Sequence, residues 1–159
     1  MSVEPAGEHY QRPGWFTKHL FNPIVGGLTR IGLPVAGSRV LEVRGRTSGE
    51  PRRTPVNPLE LDGERYLVAP RGHTQWVKNV RVDPNARLFR GSHGESIALV
   101  EVTDDQAKIP VLRAYLEKWA WEVGALFGGV GADSSDEELA RIAPDHPIFR
   151  VESGRAAAP

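Results

Sequence analysis

The chain has 159 residues, a length that suits one domain with a substantial buried core. It is 40% hydrophobic and 25% charged, and because it contains no cysteine, disulfides and thiolate metal sites are excluded. The net charge is zero, yet residues 39–90 carry 11 Lys and Arg against 6 Asp and Glu. A basic middle in a neutral protein favours a small polyanionic ligand over nucleic acid. Because cysteine is absent and nothing indicates secretion, we expect a cytoplasmic location.

The sequence pattern at the start of the chain predicts a polar arm followed by an amphipathic segment. Residues 1–14 are polar and contain two prolines and two glycines, which predicts a flexible N-terminal arm. Apolar residues then recur every four positions from Phe16 to Leu28 and predict an amphipathic helix, or two helices divided at Pro23. Residues 15–33 are too interrupted to span a membrane, but three roles stay open for them: packing on the core, covering a ligand cleft, or contacting a membrane surface.

The next segment predicts antiparallel strands. Residues 40–43 and 54–61 have strand character, although Pro58 weakens the second run. The pair Asp62-Gly63 is a strong hairpin signal before a third strand at residues 65–69.

A short helix and two more strands follow. The helix is expected from Thr74 to Val82, with Thr74 as its N-cap and residues 83–85 as its stop. The strands, residues 86–90 and 96–103, flank a turn at residues 91–94.

The last third predicts a longer helix, a loop, a short helix and a strand. Residues 103–106 resemble a capping box, and apolar residues from Ile109 to Trp119 mark one helix face. Further along we expect a Gly-rich loop at 124–131, an acidic helix from Ser134 or Ser135 to Ile142, a closing strand at 148–151 and a frayed tail at 153–159. Six strands interrupted by helices predict an α+β fold built on a small β-barrel.

Common catalytic motifs are missing. The sequence contains no Gly-x-Ser-x-Gly elbow, His-Glu-x-x-His pair or Walker loop, and its five histidines lack metal-ligand spacing, so no metal site is predicted. An enzyme without its own nucleophile or metal takes its chemistry from an organic cofactor.

Residues 45–56 form the most distinctive segment of the chain. They combine three arginines, two glycines and small hydroxyl side chains between two strand-like runs. Glycine allows close approach of the backbone, Ser and Thr donate hydrogen bonds, and guanidinium groups match phosphate or carboxylate. The segment therefore predicts an anion-binding loop, with a solvated hairpin face as the alternative.

Two blocks in combination resemble a known family. The first is the Gly-Arg-x-Ser-Gly-x-x-Arg-x-Thr-Pro pattern at residues 45–55, and the second, at residues 76–84, is similar to a Trp-x-x-Asn-Leu-x-x-x-Pro helix. Both are similar to the deazaflavin-dependent nitroreductase family, the A class of split-barrel oxidoreductases that use coenzyme F-420 (8-hydroxy-5-deazaflavin). The ending at residues 144–150 extends the likeness over about residues 15–152.

This resemblance implies an α+β split β-barrel of about six mostly antiparallel strands with helical insertions, in one domain at residues 15–152. It places the phosphate and oligoglutamate tail of the coenzyme on the first loop, at Arg46, Thr47, Ser48, Arg52 and Arg53. The ring and ribityl chain are then expected beside Thr54, Pro55, Val56 and Asn57, beside the second loop at Ala69, Pro70, Arg71 and Gly72, and at the helix start formed by Gln75, Trp76, Val77, Lys78 and Asn79.

The resemblance also implies a function, hydride transfer from the reduced deazaflavin to an electron-poor acceptor such as a quinone, enone or nitroaromatic. Candidates for the wall of the acceptor pocket are Tyr115, Trp119, Trp121 and Phe127, and each has core packing as its alternative. No catalytic acid is assigned. Thr47, Val77 and Asn57 depart from residues common in relatives, so the substrates of those relatives are not carried over.

Two rival functions stay open at this point. An FMN-binding split-barrel oxidoreductase would need fewer arginines than the first loop offers, because FMN carries one phosphate and no glutamate tail. A non-catalytic carrier of the deazaflavin or of a lipid would bind its ligand without turnover. A homodimer is open by analogy with other split barrels, as is peripheral membrane contact through residues 15–33.

Overall fold

The computed structural model describes residues 38–154, apart from the side chain of Glu122. The predicted N-terminal arm, the amphipathic segment at 15–33 and residues 155–159 lie outside the described residues.

The described residues form an α+β fold, as predicted. In chain order the elements are β1 (Arg39–Arg44), β2 (Pro51–Val56), β3 (Leu59–Leu61), β4 (Glu64–Val68), α1 (Gln75–Val82), β5 (Asn85–Arg90), β6 (His93–Glu101), α2 (Asp105–Val123), α3 (Asp136–Ile142) and β7 (Ile148–Ser153). Short 3₁₀ turns, Gly124–Phe127 and Ala143–Asp145, follow α2 and α3. No helix within residues 38–154 has both the length and the apolar character needed to cross a membrane.

One antiparallel sheet contains all seven of these strands, in the order β2-β1-β5-β6-β7-β4-β3. Although β2 and β3 lie at opposite edges, only Asn57 and Pro58 connect them. Since three virtual bonds span at most roughly 11 Å, the sheet must curl until its two edges are close. No strand pairing joins β2 to β3 in the described part of the chain, so the curled sheet is a split barrel.

The strand predicted at 54–61 is wrong in its extent, and this explains why seven strands replace the expected six. The chain forms β2 up to Val56, leaves the sheet at Asn57 and Pro58, and resumes as β3 at the opposite edge. Proline has no N–H for the strand ladder and restricts the residue before it, so this pair is a natural place for the break.

Three smaller predictions also change. Asp104, rather than Thr103, caps α2, and its side chain accepts a hydrogen bond from the Gln106 N–H at 3.1 Å. Part of the predicted Gly-rich loop forms the turn Gly124–Phe127. Strand β7 continues to Ser153 and lies inside the sheet, between β6 and β4, so the first residue assigned to the frayed tail belongs to a strand. The Ser135 start of α3 is confirmed by a complete capping box with Glu138.

Two apolar cores lie on the two faces of the sheet. The interior of the barrel contains residues such as Leu67 and Phe149, together with Val77 and Val80 of α1. The opposite face, at β3, β4 and β7, is covered by α2 and its neighbours. There Val68 of β4 and Ile148 of β7 are buried, and each is adjacent in the chain to a residue of the barrel interior. Successive side chains on a strand point to opposite faces, so β4 and β7 supply both cores at once.

Candidate functional site

The first loop, residues 45–50 between β1 and β2, is closed by its own hydrogen bonds. The Gly45 N–H donates to the Glu50 carbonyl at 2.8 Å, and the Gly49 N–H donates to the Gly45 carbonyl at 2.9 Å. Gly49 has a φ of 75°, a backbone conformation that side chains disfavour. The Ser48 hydroxyl accepts from the Glu50 N–H at 3.0 Å and from Arg52 Nη2 at 3.3 Å. These contacts fix the loop while its side chains stay exposed.

Gly45 provides the space in which the first loop packs. A Cβ at this buried position would lie 3.0 Å from Ser48 Oγ and 3.3 Å from Arg52 Nε. A larger residue would therefore displace the two side chains that the sequence assigns to anion binding.

Arg46 joins the first loop to α1. Its backbone N–H and its Nη1 both donate to Asn79 Oδ1, at 3.0 and 2.8 Å, and its Nη2 donates to Gln75 Oε1 at 2.9 Å. Asn79 is only 4% exposed, whereas Arg46 is exposed. The two sequence blocks therefore meet in space, and the guanidinium is held in one orientation at the surface.

The remaining residues of the second block are divided between the two sides of α1, one facing the barrel interior and the other facing the solvent. Val77 is fully buried in the barrel, and the Trp76 ring lies 5.6 Å from that of Phe149. Gln75 and Lys78 are exposed on the opposite side of the helix. Val77 therefore contributes to the core, while Gln75, Lys78 and Asn79 lie toward the first loop or the solvent.

Strand β2 divides the predicted arginines between two faces. Arg52 lies opposite Val43 of β1, so it shares the barrel-interior face, on which Thr54 and Val56 follow it. Arg53 lies opposite Glu42, donates to that carboxylate at 2.9 Å, and stacks 4.4 Å over the Phe89 ring. The structure therefore brings Arg52 to the first loop and separates Arg53 from it. Pro55 shares the face of Arg53, and Asn57 follows the end of β2.

The second loop, residues 69–74, connects β4 to α1. Ala69 is buried, Pro70 is partly buried and Arg71 is exposed. Gly72 has a φ of 87° and donates its N–H to the Ala69 carbonyl at 3.1 Å. Thr74 precedes α1 as its N-cap but makes no capping hydrogen bond, and its buried hydroxyl has no partner. An unpaired hydroxyl and the free N–H groups of a helix start lie close to the Arg46–Gln75 contact, a donor set that suits an anionic, oxygen-rich ligand.

A charged network supports the second loop from α1. Arg81 donates to both oxygens of Glu101, at 2.9 and 2.6 Å, and its Nη1 donates to His73 Nδ1 at 3.1 Å. These hydrogen bonds to the carboxylate hold the pKa of Glu101 below its usual range. Sequence reasoning assigned no role to these residues, because they are far apart in the chain and match no motif.

Replacing Glu101 by glutamine is expected to lower the free energy of unfolding at pH 7, and the loss should shrink in acid. Because the carboxyl pKa is lower in the folded chain than its ordinary value of 4.5, the ion pair stabilises the protein above that pH. The contribution disappears as the pH falls below about 4.5 through the folded-state pKa. Urea unfolding of wild type and Glu101→Gln across this range measures the difference. A difference that does not change with pH would contradict the prediction.

The four aromatic residues predicted for the acceptor wall lie elsewhere. Tyr115, Trp119 and Phe127 are buried in the core between α2 and the sheet, on the face opposite the barrel interior. Trp121 is 73% exposed and its ring centroid lies 6.2 Å from that of Trp119. Of these residues only Phe127 approaches a loop in the described part of the chain, through its stacking on His146, which contacts Ala69 of the second loop. The role of the four residues as an acceptor wall stays a prediction.

A groove of about 880 Å³ lies on the outer face of β1, β5 and β6. Its lining includes Glu42 and Asp83 as well as Arg44 and Arg87. Because these charges balance, the groove suits a polyanion less well than the two loops do.

Comparison with known proteins gives both a family and a fold. A family model described as F420H(2)-dependent quinone reductase matches residues 14–121, more than half of the chain. No significant match was found among curated proteins.

Solved structures resemble the chain at low sequence identity. A conserved hypothetical protein from Mycobacterium tuberculosis is 18% identical with a TM-score of 0.50, over 76% of this chain and 75% of that one. A protein of unknown function from Agrobacterium tumefaciens is 16% identical with the same TM-score, and the match covers 75% of this chain but only 49% of that one. A structure described as an F420-H2 dependent reductase is 18% identical with a TM-score of 0.45, over 74% of this chain and 95% of that one. At these identities the structural likeness concerns the fold alone.

Proposed function

Since the chain belongs to the F420H(2)-dependent quinone reductase family, we propose that it reduces a quinone, or another electron-poor acceptor such as an enone or nitroaromatic. As a member of that family the protein is a reductase, and coenzyme F-420 is its cofactor. When bound, the reduced deazaflavin supplies the hydride; the protein binds, orients and shields the reactants.

The observation that carries this proposal is the contact between the two sequence blocks. Arg46 holds the first loop against Asn79 and Gln75, so the guanidinium lies beside the start of α1. A phosphate and several carboxylates need several fixed donors, and the first loop and the start of α1 supply them.

The residues present also fit the less polar part of the coenzyme. On β2, Thr54 and Val56 continue from Arg52 along the same face toward the barrel interior. A polar segment followed by an apolar one matches a coenzyme with a charged tail and a planar ring. The second loop and the unpaired Thr74 hydroxyl supply further polar atoms beside α1.

Binding and turnover measurements test the proposal in two steps. Purified protein is titrated with coenzyme F-420 and, separately, with FMN, with binding followed by fluorescence. The reduced coenzyme is then mixed with quinones, enones and nitroaromatics, and its oxidation is followed by absorbance. We expect preferential binding of coenzyme F-420 and oxidation that depends on a quinone.

The other outcomes would favour a rival function or overturn the proposal. Preference for FMN would favour an FMN-binding oxidoreductase, and coenzyme F-420 binding without oxidation by any acceptor would favour a carrier. Binding of neither would overturn the proposal. A homodimer, a cytoplasmic location and peripheral membrane contact through residues 15–33 remain predictions.

A further inference from the structure

The second loop is attached to the segment that precedes β7, residues 143–147. The Ala69 N–H donates to the Pro147 carbonyl at 2.9 Å, and His146 Nδ1 lies 3.3 Å from the Ala69 carbonyl. At the other end of the loop, His73 Nε2 lies 3.0 Å from the Pro144 carbonyl. Both ends of the loop are thus held by one short segment.

The middle of the loop approaches the same segment. A Cβ on Gly72 would lie 3.1 Å from the Asp145 carbonyl oxygen, and the positive φ of Gly72 already disfavours any side chain there. The loop therefore lies against residues 143–147 at Ala69, Gly72 and His73, and the contact at Gly72 is too tight for a side chain without a shift.

The side chain of His146 reaches the loop backbone. It is 6% exposed, and its ring stacks on Phe127 with the centroids 4.2 Å apart. Burial lowers the pKa of His146, which favours the neutral ring. Since a carbonyl only accepts, the ring must carry its proton on Nδ1 to bond the Ala69 oxygen.

The Ala69 carbonyl receives two hydrogen bonds, and they have different consequences. The Gly72 N–H closes the turn of the loop, whereas His146 fixes that turn to the body of the protein. Removing the histidine donor leaves the turn and the bonds from Ala69 to Pro147 and from His73 to Pro144 in place, but loosens the turn at the Ala69 carbonyl.

We infer that His146 is a positioning residue, which holds the second loop through Nδ1 in the orientation that binds the coenzyme. The inference rests on the proposed function of the two loops. Pre-organising a loop strengthens binding because less conformational freedom is lost when the ligand arrives. A phenylalanine ring supplies the same kind of stacking on Phe127, so the hydrogen bond from Nδ1 is what distinguishes histidine at this position.

Two variants separate the nitrogen from the ring. His146→Phe keeps an aromatic ring against Phe127 and loses the donor, whereas His146→Asn keeps an N–H close to the Nδ1 position and loses the stacked ring. We expect His146→Phe to bind coenzyme F-420 about five- to tenfold more weakly, with a melting temperature close to that of wild type. We expect His146→Asn to bind within about twofold of wild type, despite a lower melting temperature.

A purely structural role predicts the opposite order, with affinity following the melting temperature and His146→Asn the weaker binder. That order, or wild-type affinity in His146→Phe, would overturn the inference. Amide hydrogen exchange of residues 69–74 in the ligand-free protein gives a second measurement, and it should be faster in His146→Phe than in His146→Asn. If wild type fails to bind coenzyme F-420, the proposed function fails, while the exchange rates still decide whether His146 holds the loop.

Discussion

Replacing Arg46 and Arg52 together by alanine is expected to weaken coenzyme F-420 binding by about 100-fold or more. Each charge-assisted hydrogen bond to a phosphate or carboxylate contributes about 1.5–3 kcal/mol, and tenfold in affinity corresponds to about 1.4 kcal/mol. The Arg46 substitution also releases the first loop from Asn79, so the remaining donors are less well placed. Fluorescence titration of the coenzyme measures the change.

A matched arginine variant serves as the control for that experiment. Arg141→Ala removes an exposed cation from α3, which has no predicted contact with the coenzyme. It is expected to bind the coenzyme within about threefold of wild type, because surface charges at a distance are screened. A double variant that binds as tightly as this control would show that the first loop does not hold the anionic tail.

Replacing Trp119 by alanine is expected to lower the free energy of unfolding by about 3–5 kcal/mol. Trp119 is 2% exposed and belongs to the core between α2 and the sheet, so the truncation leaves a large cavity. Because domains are stable by only about 5–15 kcal/mol, this is a large part of the total. Denaturant unfolding followed by circular dichroism measures the loss.

The neighbouring tryptophan provides the control. Trp121 is 73% exposed, and Trp121→Ala should change the free energy of unfolding by no more than about 0.5 kcal/mol. Trp119→Phe should cost far less than the alanine variant, because the Trp119 Nε1 is buried without a hydrogen-bond partner and nothing polar is lost. Near wild-type stability in Trp119→Ala, with a changed KM for the quinone, would instead favour the acceptor wall.

The parts of the fold that sequence reasoning predicted are those with strong local signals. The Asp62-Gly63 turn, the helix from Gln75 and the Ser135 cap depend on residues within a few positions of one another, and all three are present. The break at Asn57 and Pro58 was missed because strand-forming residues lie on both sides of it, although the buried positions change phase between Val56 and Leu59.

The candidate site was predicted in outline but not in orientation. Arg52 and Arg53 are adjacent, so sequence could not decide which of them faces the barrel interior; the register of β2 against Glu42 decides it. The contact of Arg46 with Asn79 and that of His146 with Ala69 join residues far apart in the chain. Local patterns carry no information on such pairs, although both residues of the first pair stood in blocks already recognised.

The interior position of β7 has a consequence for biosynthesis. In the sheet of the described residues, β7 is the strand that lies between the β3–β4 hairpin and the β2-β1-β5-β6 group, yet it is synthesised after both. Tyr66 of β4 therefore has no strand partner until Arg150 of β7 is present. Until β7 is synthesised, the edges of β6 and β4 that pair with it are unpaired, and both apolar cores are incomplete. Unpaired edges of this kind invite aggregation, and non-local pairing slows folding. The barrel is therefore completed only after β7 has been synthesised, when one strand closes both edges and both cores together.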